Sequence, residues 1–117
     1  MTTEEFNAII NEQIDRSTEV LIRKAKEYAT EDRLHNFKIA AELEGCNAQQ
    51  ALAGMMAKHT VSIYDLCRDS STANVPIEMW NEKITDHINY LLLLSAVVRE
   101  DYLDESGLWA DGVKIKI

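Results

Sequence analysis

Pro76-Ile77-Glu78-Met79-Trp80-Asn81-Glu82-Lys83-Ile84-Thr85-Asp86-His87-Ile88-Asn89-Tyr90-Leu91 is the stretch whose reading decides the fold. Proline suits the first turn of a helix, where its missing N–H would have no intrahelical partner. No further proline or glycine occurs until Gly107, so the pattern predicts one long helix from Pro76 to about Glu105. Ile84, Ile88, Leu91 and Leu92 supply an apolar face, and Leu94, Ala96, Val97 and Val98 extend it. Glu82, Asp86 and Asn89 recur at helical spacing on one face and run into Leu93. A polar stripe on so apolar a helix either faces solvent or converges on a ligand.

Working back towards the start, Phe6, Ile10, Ile14, Leu21, Ala25 and Tyr28 recur at helical spacing and predict a helix over 3–29. Thr2 or Thr3 is placed to cap it, and Glu4 and Glu5 suit its first turn. The segment 30–36 breaks the pattern and reads as a loop. A short helix follows from Asn36 or Phe37 to Glu44, with Gly45 as its left-handed stop. Asn47 and Gln50 then form a capping box for a third helix, Ala48 to about Arg68. Ala48, Ala51, Ala53, Gly54 and Ala57 make its first half small, which predicts close approach by a neighbouring helix. Residues 69–74 read as a polar linker.

The resulting expectation is all-α: four helices in a bundle-like single domain over 1–107, followed by a non-helical tail over 108–117. One proline and four glycines in 117 residues are too few for an all-β chain. A hydrophobic content of 46% is that of a globular protein rather than a disordered one. The alternation Val113-Lys114-Ile115-Lys116-Ile117 has the period of a strand, but so short a segment does not stand alone. The tail therefore reads as an oligomer contact or as flexible.

Composition also bounds the partners. A net charge of −8 argues against nucleic acid, whose backbone needs clustered Lys and Arg. The longest apolar run, Tyr90 to Val98, is far short of the ~20 residues that span a bilayer, so no membrane role is expected. Met1 to Asn7 is polar and acidic, unlike a secretory signal. Cys46 and Cys67 lack CxxC spacing, which points to reduced thiols and a cytoplasmic protein rather than structural zinc.

The third helix carries its own polar residues, Lys58, His59, Ser62 and Asp65. If the third and fourth helices pack antiparallel, as a short linker favours, this stripe opposes Glu82, Asp86 and Asn89. Facing carboxylates suit Mg2+, which takes oxygen ligands and shares its shell with water and substrate phosphates. Asp65, Glu82 and Asp86 are then the metal candidates, with Asn89 as an oxygen donor or orienting group. In the alternative, Glu82 and Asp86 are solvent-exposed acids, Asp86 pairs with Lys83, and His59 is an ordinary helix residue. His35 and Asn36 sit in or beside a loop, where capping and substrate contact are both open. His87 lies about 100° round the helix from Asp86 and reads as surface or interface.

Taken in order, Arg23 to Tyr28, His35-Asn36-Phe37, Lys58-His59 with Asp65, and Glu82 through Asp86 to Asn89-Tyr90 resemble a family of small phage and prophage helical proteins associated with nucleotide modification. That family is distantly similar to the MazG-like all-α nucleoside triphosphate pyrophosphatases. The resemblance covers about residues 20–100. It implies a MazG-type helical core, a homo-oligomer, and in the pyrophosphatase branch Mg2+-dependent release of pyrophosphate from a nucleoside triphosphate. There, two acidic motifs on adjacent helices hold the metal. This chain has no EExxE on its third helix, and Lys83 stands three residues before Asp86 where the second motif has an acid. The expected function is therefore a nucleotide pyrophosphohydrolase or a nucleotide-binding accessory protein. Lys58 and Arg23 would neutralise phosphates, and His35 or Asn36 would touch base or sugar, with His59 and Asn89 beside them; no catalytic residue is assigned. The alternative is a non-catalytic helical oligomer that acts by protein–protein interaction.

Overall fold

The computed structural model describes residues 1–27, 31–68 and 74–102, which form four helices: α1 (Thr3–Glu27), α2 (His35–Glu44), α3 (Ala48–Arg68) and α4 (Ile77–Glu100). The chain is all-α, with helix packed on helix in a bundle-like arrangement. The expected strand-like tail 108–117 and most of the linker 69–74 lie outside the described residues.

Local chemistry fixes the helix ends. Thr2 Oγ1 accepts from the Glu5 N–H at 3.1 Å and caps α1. Gly45 adopts φ 69°, and the Cys46 and Gly45 N–H groups donate back to the Ala41 and Glu42 carbonyls, closing α2 with a Schellman turn. The next helix opens at once. Asn47 Oδ1 accepts from the Gln50 N–H at 2.8 Å, while Gln50 Oε1 accepts from the Asn47 N–H at 3.1 Å. The α2–α3 turn is thus specified from both sides.

Three boundaries differ from the sequence expectation. Helix α2 begins at His35, because Asp32 organises the turn before it: its Oδ1 accepts from the Leu34 N–H at 3.0 Å and its carboxylate holds Lys38 Nζ at 2.5 Å. Lys38 also reaches Glu100 at 2.7 Å, so the start of α2 is tied to the end of α4. Pro76, at ψ 145°, is extended and stands just before α4 rather than in its first turn. Helix α4 ends at Glu100, short of the expected Glu105.

Leu34, Phe37, Leu52 and Val97 form the apolar core, with Ala48, Met55, Tyr90, Leu93 and Leu94 packed round it. These residues come from α2, from α3, from α4 and from the turn before α2. Pairings of Gln49 with Asp101, His59 with Asp86 and Thr60 with His87 make α3 and α4 antiparallel, as expected.

Helix α1 is attached differently. Its buried residue is Ser17, and it meets α4 through a polar seam. Gln13 Nε2 donates to Thr85 Oγ1 at 2.9 Å and to Ser17 Oγ at 3.1 Å, and Asn89 Nδ2 donates to the Ser17 carbonyl at 3.2 Å. Both cross-links join residues 72 apart, so α1 and α4 run parallel in register. The first three apolar residues that predict α1 do not make its packing face: Phe6 is 53% and Ile14 57% exposed, and Ile10 is exposed as well. A second correction concerns Gly54. It faces open space, with nothing within 4 Å of where a Cβ would stand, so no close helix approach explains it.

Two outcomes follow for stability. Leu52 has no exposed surface, so Leu52→Ala is expected to cost about 2–5 kcal/mol in denaturant titration. Gly54→Ala is expected to stabilise by about 0.5–1 kcal/mol, since it improves helix propensity and meets no neighbour. A destabilising Gly54→Ala would mean that something does pack on that face.

Candidate functional site

The α4 residues Asp86 and Asn89 stand where all four helices come near one another. A cavity of 460 Å³ opens there, within the range that binds small molecules. Its floor is apolar and aromatic, from Phe37, Met55, Tyr90 and Leu93. Lys24 of α1, Arg33 and His35 bring cationic or titratable groups to its walls, and Asn36, Asp86 and Asn89 bring polar ones. A second cavity of 510 Å³ runs along the α1–α4 groove. There Arg16, Arg23 and Lys24 confront Glu78, Glu82 and Asp86. Lys24 and Asp86 line both cavities and so mark their junction.

His35, Asn36 and Asn89, read from the sequence as substrate-binding, therefore line one cavity together. His59 lines neither cavity but touches the site from behind: its Nδ1 lies 4.0 Å from Asp86 Oδ2, and its ring tilts against Tyr90 with centroids 4.7 Å apart. The first distance is beyond hydrogen-bond reach. Burial pushes the His59 pKa below its usual 6.5 and wins over the nearby Asp86, which pulls the other way; Lys58, Lys83 and Lys24 add to the lowering. Lys58 itself is exposed and lines neither cavity. His87, open between surface and interface in the sequence, lies on the α3–α4 interface, where its Nε2 is 3.0 Å from Thr60 Oγ1.

The metal set does not assemble as expected. Among the described residues, no group of three or more His, Cys, Asp or Glu side chains is placed to hold a metal ion. Glu82 and Asp86 share the second cavity, but Asp65 is exposed on α3 and lines neither cavity. The helix geometry gives the reason. His59 is the α3 residue that opposes Asp86, and Asp65 lies about 9 Å further along the axis and about 240° round it. The trio Asp65, Glu82 and Asp86 does not fit a resident Mg2+.

Arg16, Arg33 and Asn81 were not singled out from sequence, and Lys24 entered only within the stretch Arg23 to Tyr28. A signal existed for part of this set. Arg16, Val20, Arg23 and Lys24 repeat at i, i+4, i+7 and i+8, a single face of α1.

Asn89 is the most constrained of the polar groups. It is 6% exposed, and among the described residues its Oδ1 is the buried side-chain atom for which the protein supplies no hydrogen-bond partner. Its Nδ2 faces the Ser17 carbonyl oxygen, so the amide cannot flip without setting oxygen against oxygen. No family model matches this sequence, and no curated relative or solved structure is significantly similar to it.

Because the folded-state pKa of His59 lies below 6.5, the folded chain takes up fewer protons there than the unfolded chain. That contribution to stability is complete above the unfolded value and is lost as pH falls through the lowered one. Thermal melts from pH 7 to pH 5 should therefore fall more steeply for the wild type than for His59→Gln. Parallel curves would remove His59 from the acid response.

Proposed function

We propose that the protein binds a nucleotide, with the base in the aromatic-floored cavity and the phosphates at the junction and beside the cations of the adjoining groove. One observation carries this reading: an apolar, aromatic compartment and a compartment bearing Arg16, Arg23 and Lys24 share the wall formed by Lys24 and Asp86. Aromatic faces accept a base by stacking, and Arg and Lys neutralise phosphate by charge-assisted hydrogen bonds. The resemblance to nucleotide-associated helical proteins supports the same reading. Pyrophosphohydrolysis is its enzymatic form. Mg2+ enters it only with the phosphates, for which the Glu82 and Asp86 carboxylates are available. The free thiols Cys46 and Cys67 suit a reducing, cytoplasmic setting. Among the described residues, no helix is long and apolar enough to cross a membrane.

A second reading has its own observation. Helix α1 leaves Phe6, Ile9, Ile10 and Ile14 exposed, a contiguous apolar surface that a second copy of the chain would cover. A homo-oligomer is compatible with nucleotide binding, and without such binding it becomes the non-catalytic interaction protein.

Calorimetry with nucleoside mono- and triphosphates, with and without MgCl2, separates the readings. A binding nucleotide should stabilise the fold by about 2.7 kcal/mol when present at a hundred times its Kd. Lys24→Ala should weaken binding by roughly tenfold, the loss of one charge-assisted contact. Pyrophosphate release, assayed separately, decides whether binding leads to turnover. If no nucleotide binds while Ile14→Lys converts an oligomer to monomer in light scattering, the interaction reading stands instead.

A further inference from the structure

We infer that two copies of the chain pair through helix α1, antiparallel across a two-fold axis at Ile14. The pairing rests on reading the exposed face of α1 as an interface between copies, and it is independent of nucleotide binding. It names which residues meet and in which direction the two helices run.

Helix α1 lacks the apolar burial that docks the other helices. It packs chiefly on α4, its buried residue is Ser17, and polar hydrogen bonds hold it there. Phe6, Ile10, Ile14 and Ile22 are all exposed, and Phe6, Ile14 and Ile22 by more than half. With Thr18 they recur at every fourth position over 6–22, a length of about 24 Å at the rise of an α-helix. Side chains four apart make one of the ridges by which helices interlock. Thr18 does not break this ridge: its hydroxyl donates to the Ile14 carbonyl at 2.9 Å, so it brings no unmet polar group.

Symmetry and charge identify what covers the ridge. A two-fold interface uses the same patch twice, so residues equally far on either side of the axis must suit each other. About Ile14 the ridge meets that condition: Ile14 faces its own copy, Ile10 faces the partner's Thr18, and Phe6 faces the partner's Ile22. Charge settles the direction. Glu4, Glu5, Glu12 and Asp15 precede Arg16 with no cation among them, whereas from Arg16 to Glu27 four cations outnumber two acids. Antiparallel pairing sets the acidic half of each helix beside the basic half of the other and opposes the two helix dipoles. Parallel pairing sets acid on acid. A different partner would need both the apolar spacing and the reversed charge order, and a second copy supplies them by symmetry.

The test combines light scattering with cross-linking of the full chain by a short bismaleimide, with Cys46→Ser and Cys67→Ser as the cross-linking background. The wild type should scatter as a dimer, and Ile14→Lys should raise its dissociation constant about a hundredfold, because two like charges would meet at the axis. Ile14→Cys should cross-link to itself. Phe6→Cys and Ile22→Cys should each fail to cross-link alone and succeed when mixed and allowed to exchange. All three positions are exposed, and an unchanged helical circular dichroism spectrum shows that each variant folds. Cross-linking of Phe6→Cys to itself, and not to Ile22→Cys, would overturn the antiparallel direction. An oligomer in which none of these positions cross-links would overturn the assignment to α1 while leaving an interface between copies. A monomer at every concentration would overturn the pairing together with the reading it rests on.

Discussion

The side chain of Asn89 bridges two parts of the molecule that are held by different forces. On one side its amide nitrogen donates to the Ser17 carbonyl of α1 at 3.2 Å. On the other its oxygen is buried without a donor from the described residues, and the residue lines the first cavity. Helices α2, α3 and α4 are bound by apolar burial round Leu52, which is roughly proportional to area and needs no particular orientation. Helix α1 relies on the seam of Gln13, Ser17, Thr85 and Asn89. Each such hydrogen bond contributes a net ~0.5–1.5 kcal/mol, because water competes for the same groups in the unfolded chain. The seam is specific in register but modest in strength.

That difference bears directly on the site. Leu21 and Lys24 of α1 line the first cavity, and Arg16, Arg23 and Lys24 line the second. Apart from Arg33, the cations of both compartments are thus carried by the helix that depends least on apolar packing. A ligand that engages Lys24 on α1 and Asn89 on α4 would join the two helices by its own contacts, so binding and α1 docking reinforce each other. An arrangement bonded by apolar contact throughout would hold the cavity walls without a ligand.

Much of this architecture is legible in the residues, and the parts that are not have identifiable causes. The Gly45 stop and the Asn47–Gln50 box could be read directly because caps are local, three-residue chemistry. The antiparallel α3–α4 pair followed from a short connection. What failed depended on helix azimuth. His59, Ser62 and Asp65 are spaced by three, and each such step lags the helical repeat by about 60°, so the row drifts by about 120° and Asp65 leaves the face that His59 occupies. Glu82, Asp86 and Asn89 alternate steps of four and three, which cancel, and that stripe does hold its direction. The apolar residues of α1 misled for another reason. Periodicity shows that a helix has an apolar face but not that its own chain covers it, and Phe6 and Ile14 remain exposed.

Charge distribution sharpens what kind of ligand such a site can take. The chain carries a net −8, a field that repels an extended polyanion on approach. Within it, Arg16, Arg23, Lys24 and Arg33 are gathered at two adjoining cavities, close to Asp86. Screening confines the repulsion: at physiological salt it decays over about 8 Å, so a small anion that reaches the groove meets the local charges, Arg16, Arg23 and Lys24 with Glu78, Glu82 and Asp86, rather than the distant carboxylates. The same arrangement explains why Glu82 and Asp86 need not oppose a phosphate-bearing ligand. With Glu78 they face three cations across the groove, so the charges there balance, and a Mg2+ ion accompanying the phosphates would turn theirs from a penalty into a contact.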